Sequence, residues 1–331
     1  MALLAWVASA AAAAPLAPGD HELAIAHAGR SRLAIVHVPP AAARGEPLAV
    51  VVSYHGGGGN AAQHRDWIGL DRVADRAGFL AVYPYGTGQL AERTLLTWNA
   101  GTCCGYAARA NVDDVGFTVA LLGELARRTP VDATRVYASG MSNGAMMAFR
   151  LAHDAGARVA GIATVAGVAH FAPFRATTPM PIVHFHSSDD PRAPYAGGLG
   201  PRLPFLTRVM HPPVAVALDD WAVMNGCPKH PLPGETRGAP PDSPDAGQTA
   251  TLFRYTPCAG GAAIELWKLT GAGHVWPGAP ALRAGQSLLG PPTTLIDASQ
   301  ILWDTLSRHR RPDAPPLPAL DPEREEAAGG S

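Results

Sequence analysis

Ser142 sits at the centre of Gly140-Met141-Ser142-Asn143-Gly144, between an apolar run at 135–139 and a helix-forming run at 145–152. Small residues two positions either side of a serine suit a strand-to-helix turn too sharp for larger side chains. Such a turn exposes the hydroxyl and aims the next residue's N–H at the same space. With 36 glycines in the chain the pattern can arise by chance, so its weight rests on its companions. A serine hydroxyl attacks a carbonyl only when a base takes its proton, and a histidine can do that near neutral pH. His274 lies in the small-residue loop 271–278, after a strand-like run at 263–269. A carboxylate must then hold the imidazole tautomer. Asp190 follows the apolar run 181–186 and is the expected acid; its neighbour Asp189 is the alternative, and the other of the two is expected to cap the turn before Pro191.

The run 48–54 ends in His55-Gly56-Gly57-Gly58-Gly59. Consecutive glycines let backbone N–H groups turn inward, as stabilising an oxyanion requires. The N–H groups of Asn143 and of Gly57 or Gly58 are the expected donors, each contributing on the order of 10²–10³ in rate. Trp98 and Trp276 are candidates for an aromatic wall around an acyl group. His184 and His186 fall within an apolar run and read as packed, and His55 reads as orienting the glycine loop.

Apolar alternation at 22–26 and 32–38 predicts two strands joined at Gly29. Helical spacing at 67–76 predicts one helix stopping at Gly78, followed by a strand at 79–84. Asp113 or Asp114 is placed to cap a helix that ends before Pro130. A further strand is expected within 159–168 and helices at 214–224 and 298–308. Strands alternating with helices imply an α/β class with a mostly parallel central sheet, covered by helices on both faces. The chain order Ser, Asp, His is that of the α/β-hydrolase fold. Residues 20–310 read as one catalytic domain and the Pro-rich, acidic 311–331 as a disordered tail.

A content of 47% hydrophobic and 16% charged residues allows a large core, and a net charge of −1 without a basic cluster excludes electrostatic binding of nucleic acid. The first 19 residues carry no charge; an apolar stretch with alanines after it predicts a signal peptide cut after Ala12 or Ala14. No Lys or Arg precedes the apolar stretch, so the basic start of such a signal is missing or lies upstream. Pro15 and Pro18 argue against a membrane span, and the expected location is secreted or periplasmic. Cys227 and Cys258 flank a Pro/Gly-rich excursion at 228–250 and are expected to be joined, while Cys103 and Cys104 are either a vicinal disulfide or buried thiols. No metal-ligand spacing occurs, and the glycine loop lacks a Gly-Lys-Ser/Thr ending, so no metal or nucleotide cofactor is expected.

Four stretches together resemble the secreted esterases described as polyhydroxybutyrate-depolymerase-like, a group that overlaps with feruloyl and acetylxylan esterases. They are 98–105, 112–117, 135–144 and 273–278, and the likeness spans 48–305. The resemblance implies Ser142 as nucleophile, Asp190 as acid and His274 as base. One departure stands out: members commonly carry His-Gly-Thr-x-Asp before the acid, where this chain has His186-Ser187-Ser188-Asp189-Asp190. Substrate choice is expected to reside in 192–213. A polyester or a plant cell-wall ester is the implied substrate, with acyl transfer or a non-catalytic binding role as the alternatives.

Overall fold

Leu48–Tyr54 is buried along its whole length and forms strand β3, the apolar, β-branched kind of strand that a sheet covered on both faces needs. Its side chains divide by alternation: Val50 and Val52 join one hydrophobic cluster, Ala49 and Val51 the other. In this computed structural model the described residues are 14–90, 93–101, 103–202, 208–281 and 286–318.

β1 (Gly19–His27) and β2 (Arg30–Val38) form a hairpin about Gly29, and β2 pairs antiparallel with β4 (Phe79–Pro84). The parallel centre contains β3, β4, β5 (Val131–Met141), β6 (Gly161–Val165), β7 (Ile182–Ser187) and β12 (Ile264–Thr270). The short pair β8 (Gly198–Leu199) and β9 (Met210–His211) stands apart from the sheet. β11 (Thr249–Tyr255) and β10 (Leu232–Gly238) complete one edge, giving the ten-strand order β1-β2-β4-β3-β5-β6-β7-β12-β11-β10. This is the α/β-hydrolase arrangement expected from the chain order.

α1 (Ala61–Ile68), α2 (Leu70–Ala77) and α8 (Ala298–Leu306) supply the cluster on one face. α4 (Asp114–Arg128), α5 (Asn143–Ala155) and α6 (Val214–Met224) supply the other. The short α3 (Gly105–Arg109) and α7 (Gln286–Leu289) lie in connections. Asp113 caps α4 by accepting from Gly116 N at 2.8 Å; Asp114 instead is buried and pairs with Arg32 at 2.7 Å.

Three expectations need correction. The helix expected at 67–76 is two, because Gly69 takes a left-handed φ of 66° and breaks it. The excursion 228–250 is not all loop: 232–238 adds an exposed edge strand, hidden in the sequence by Pro233 and two glycines, with an irregular register between Pro233 and Thr236. Residues 311–318 are held to the body, Arg311 donating to Val159 O and Arg158 to Pro316 O, so any tail starts later. The expected signal segment lies outside the described residues up to 13, and from Ala14 the chain is already attached, Leu16 N donating to Arg128 O.

Candidate active site

Strands β5, β7 and β12 are parallel, so the loops after them open on one edge of the sheet, where ligands of α/β folds bind. Each loop carries one of the three expected residues. Ser142 joins β5 to α5 at φ 55° and ψ −121°, a conformation that costs a non-glycine residue about 1–3 kcal/mol. Gly140 and Gly144 make the turn possible. A Cβ on Gly140 would lie 2.5 Å from the Gly144 carbonyl, and one on Gly144 would lie 2.5 Å from His55 O. Ser142 N donates to Val165 O at 2.8 Å, anchoring the turn on β6.

His274 Nδ1 donates to Asp190 Oδ2 at 2.7 Å, with the two side chains 6% and 0% exposed. That bond leaves Nε2 as the basic nitrogen. Asp190 Oδ1 accepts from Arg192 N at 2.7 Å and Ala193 N at 2.8 Å. Burial pushes the Asp190 carboxyl up, but His274, His186 and the Ala193 amide outweigh it and hold it below the usual carboxylate range. Asp189 does something else: it is tied to Gly271 N at 2.8 Å and Ser188 Oγ at 3.0 Å, clasping the ends of β7 and β12.

In the glycine loop, Gly58 N is spent on Leu96 O at 2.8 Å and Gly59 N on Gly56 O at 3.1 Å. Among the described residues the N–H groups of Gly57 and Asn143 take no backbone acceptor outside regular helices and strands. The two residues adjoin, since a Cβ on Gly57 would lie 3.4 Å from that of Asn143. His55 shapes this loop: Nδ1 donates to Gly56 O at 2.8 Å and Nε2 accepts from Gly86 N at 3.0 Å. Burial lowers its pKa to about 4, so it stays neutral.

Trp98 and Trp276 do not line the cavity and are not an acyl wall. Trp98 is wholly buried; its Nε1 donates to His55 O at 2.9 Å, and its ring packs edge-on against Tyr54. Trp276 donates to Ser299 Oγ at 3.1 Å and packs against His64. Trp67 lines the cavity instead. Sequence reasoning also missed what the Asn143 side chain does. Its Oδ1 accepts from Trp98 N at 2.8 Å and its Nδ2 donates to Trp98 O at 3.1 Å, fixing the 98 loop to the serine turn. The amide residue next to Ser142 was the available signal.

His184 and His186 are packed, in a defined order. Ala193 O can only accept, so His186 Nε2 donates to it at 2.8 Å and His186 Nδ1 must accept from His184 Nε2 at 3.0 Å. His184 Nδ1 then accepts from Thr164 Oγ1 at 2.8 Å. Burial lowers both histidines' pKa values and keeps them neutral. His186 thereby holds the turn whose amides hold Asp190.

Ser142, His274, Gly57 and Asn143 line one cavity of about 670 Å³, with Cys103 and Cys104 beside them. The sulfurs of Cys227 and Cys258 are joined, and Cys103 and Cys104 lie side by side in the cavity wall. Away from this cavity, Asp20, His37 and Asp71 cluster, but Arg65 pairs with both aspartates and already meets their charge.

A family model described as esterase PHB depolymerase matches residues 33–199, half of the chain. A putative esterase, NocK, from Nocardia uniformis subsp. tsuyamanensis is 35% identical over 51% of this chain and 48% of its own length. Feruloyl esterase B from Piromyces equi is 26% identical over 73% of this chain and 42% of its own. The chain thus spans under half the length of these curated relatives. A crystal structure of native pOPH, 15% identical, superposes over 94% of this chain and 93% of its own with a TM-score of 0.53, a likeness of fold.

Proposed function

The chain belongs to the esterase PHB depolymerase family, and from that premise we propose that it hydrolyses carboxylic esters through an acyl-enzyme on Ser142. The observation that carries this reading is the Asp190–His274 pair, facing the same cavity as the strained Ser142 and the Gly57 and Asn143 amides. As Ser142 Oγ bonds to the ester carbonyl carbon, His274 Nε2 takes its proton. Asp190 stabilises the imidazolium, and the two amides bind the carbonyl oxygen as it becomes an oxyanion. Collapse breaks the bond to the alcohol, which leaves with the proton from His274. Water repeats the sequence: His274 takes its proton as its oxygen bonds to the acyl carbon, and the acyl–Ser142 bond then breaks, His274 returning the proton to Ser142 Oγ as the acid departs.

The substrate class proposed first is a polyester of hydroxyalkanoate type, in line with the description of the family. A feruloyl or acetyl ester of plant cell wall is the second reading, supported by the name of the Piromyces equi relative. We place the protein outside the cytoplasm. The uncharged N-terminal stretch and the Cys227–Cys258 bond support export. Among the described residues no helix is long and apolar enough to cross a membrane.

Rates on short p-nitrophenyl esters, methyl ferulate, acetylated xylan and polyhydroxybutyrate film test both readings. Release of hydroxyacids from the film supports the first; preference for methyl ferulate or acetylated xylan supports the second. No turnover of any ester overturns both.

A further inference from the structure

Among its described lining residues the cavity beside Ser142 carries one permanent charge. None of these residues is Asp or Glu, and Arg192 is the one Lys or Arg. Three of its histidines add no charge: burial brings the pKa of His55 and of His211 down to about 4 and that of His64 to about 3. The nearby negative charge, Asp190, is already engaged by His274 and by two amides.

Arg192 is half-buried on the turn that follows Asp190. Its backbone N–H serves Asp190, while its guanidinium takes no carboxylate or carbonyl among the described residues. Burial costs a cation free energy unless something pairs with it, and here it lowers the arginine's pKa with Asp190 alone opposing. The adjoining wall is closely packed at Gly200. A Cβ on Gly200 would lie 2.9 Å from His211 Nε2 and 3.1 Å from the backbone oxygen of Arg192, so the His211 ring and the Arg192 backbone flank Gly200 on one wall of the cavity. Neither ring nitrogen of His211 has a hydrogen-bond partner among the described residues, and a neutral imidazole can donate from one of them. A guanidinium and a neutral donor lining one cavity, with no carboxylate among its described lining residues, match one chemical group best. That group is a carboxylate.

We propose that Arg192 and His211 bind a carboxylate carried by the substrate, so that the preferred substrates are esters whose acyl or alcohol part ends in a free carboxylate. This rests on the ester-hydrolase reading above and narrows it. A hydroxyacid oligomer ends in such a group, and a uronic acid on acetylated xylan presents one near an ester. Because Arg192 would contact a part of the substrate away from the bond that breaks, the gain should fall on KM rather than kcat.

The experiment compares a 3-hydroxybutyrate dimer with its terminal amide, and an acetylated xylo-oligosaccharide with and without a glucuronic acid branch. Wild type, R192Q, R192K and H211Q are assayed, with p-nitrophenyl butyrate as the uncharged control. The expected result is a kcat/KM about tenfold or more higher for the carboxylate member of one pair, mostly through KM, as a charge-assisted hydrogen bond supplies. R192Q should bring that ratio close to one, R192K should keep part of it, and added salt should narrow it. Whichever pair responds identifies the source of the carboxylate. Equal rates within both pairs for wild type, or an unchanged ratio in R192Q, overturn the inference. If wild type turns over p-nitrophenyl butyrate but shows no preference, only this inference fails; if it turns over no ester at all, the hydrolase reading fails with it.

Discussion

Under the proposed mechanism Ser142, His274 and Asp190 act as a unit, so removing one removes nearly all of the rate. Ser142→Ala is expected to lower turnover on the order of 10⁴–10⁶ while leaving the thermal midpoint unchanged or raised, since its strained turn remains. A fluorophosphonate should label Ser142 in the wild type, and a variant keeping a tenth of the activity would exclude it as nucleophile. The adjacent aspartates should separate cleanly. Asp190→Asn leaves His274 Nδ1 facing an amide and should cost on the order of 10⁴ in kcat. Asp189→Asn weakens only the clasp to Gly271 and should cost about 1 kcal/mol of stability with little change in kcat. The opposite pattern in steady-state kinetics and urea unfolding would reverse the assignment. Which aspartate faces inward was invisible in the sequence, because it depends on where the two amides of the following turn point.

The turn between β5 and α5 depends on its glycines as much as on its serine. Gly144→Ala would push a Cβ into the carbonyls of Tyr54 and His55 at the end of β3. Backbone on both sides cannot yield cheaply, so a loss above about 4 kcal/mol is expected, seen as failure to accumulate folded protein or a much lower urea midpoint. A stable, active Gly144→Ala protein would show that the turn is looser than described. The bond between Cys227 and Cys258 ties the end of α6 to the segment leading into β12. Its closed loop predicts about 3–4 kcal/mol of stabilisation, so reduction should lower the thermal midpoint well before it affects chemistry at Ser142. β10, inside that loop, escaped the sequence because an edge strand needs pairing on one side only and tolerates Pro233.

Across the whole molecule, buried neutral histidines make stability depend on pH. His55, with a folded pKa of about 4, and His64, at about 3, bind no proton when folded at pH 5, whereas unfolded histidine titrates near 6.5. His184, His186 and His211 are shifted the same way. The unfolded chain therefore takes up more protons as pH falls below about 6.5, and stability should drop by up to about 1.4 kcal/mol per pH unit for each such histidine. The loss continues down to the folded values. His37 opposes this, because bonds to Asp20 and Asp75 outweigh its burial and raise its pKa; its contribution is present at low pH and lost as pH rises. Urea midpoints from pH 7 to 5 should fall, and His64→Gln should flatten the slope. A flat profile would contradict the burial. Ester cleavage itself depends on His274 Nε2 accepting the serine proton, so His274→Ala should lose as much turnover as Ser142→Ala. Cleavage should also survive EDTA: no described residue lining the cavity is a carboxylate, and a triad with two amides needs no ion.

Much of this was written in local pattern. The apolar runs of β3, β5 and β7, the glycines around Ser142 and at 56–59, and the order of serine, aspartate and histidine along the chain are local features that the sequence alone determined. Period-two burial and turn sterics act over a few residues, so they can be read from a few residues. What only the tertiary structure decided depends on contacts across long separations. It took parallel packing to bring residues 142, 190 and 274 to one edge, and the surroundings of each amide to leave Gly57 N without a backbone acceptor among the described residues while Gly58 N is occupied. Trp98 moved from an imagined wall to a support because Asn143, 45 residues away in sequence, claims both its backbone groups. Arg192 acquired meaning only when the cavity around it proved to hold no carboxylate among its described residues. Charge complementarity is a property of enclosed space, and no window of sequence contains it.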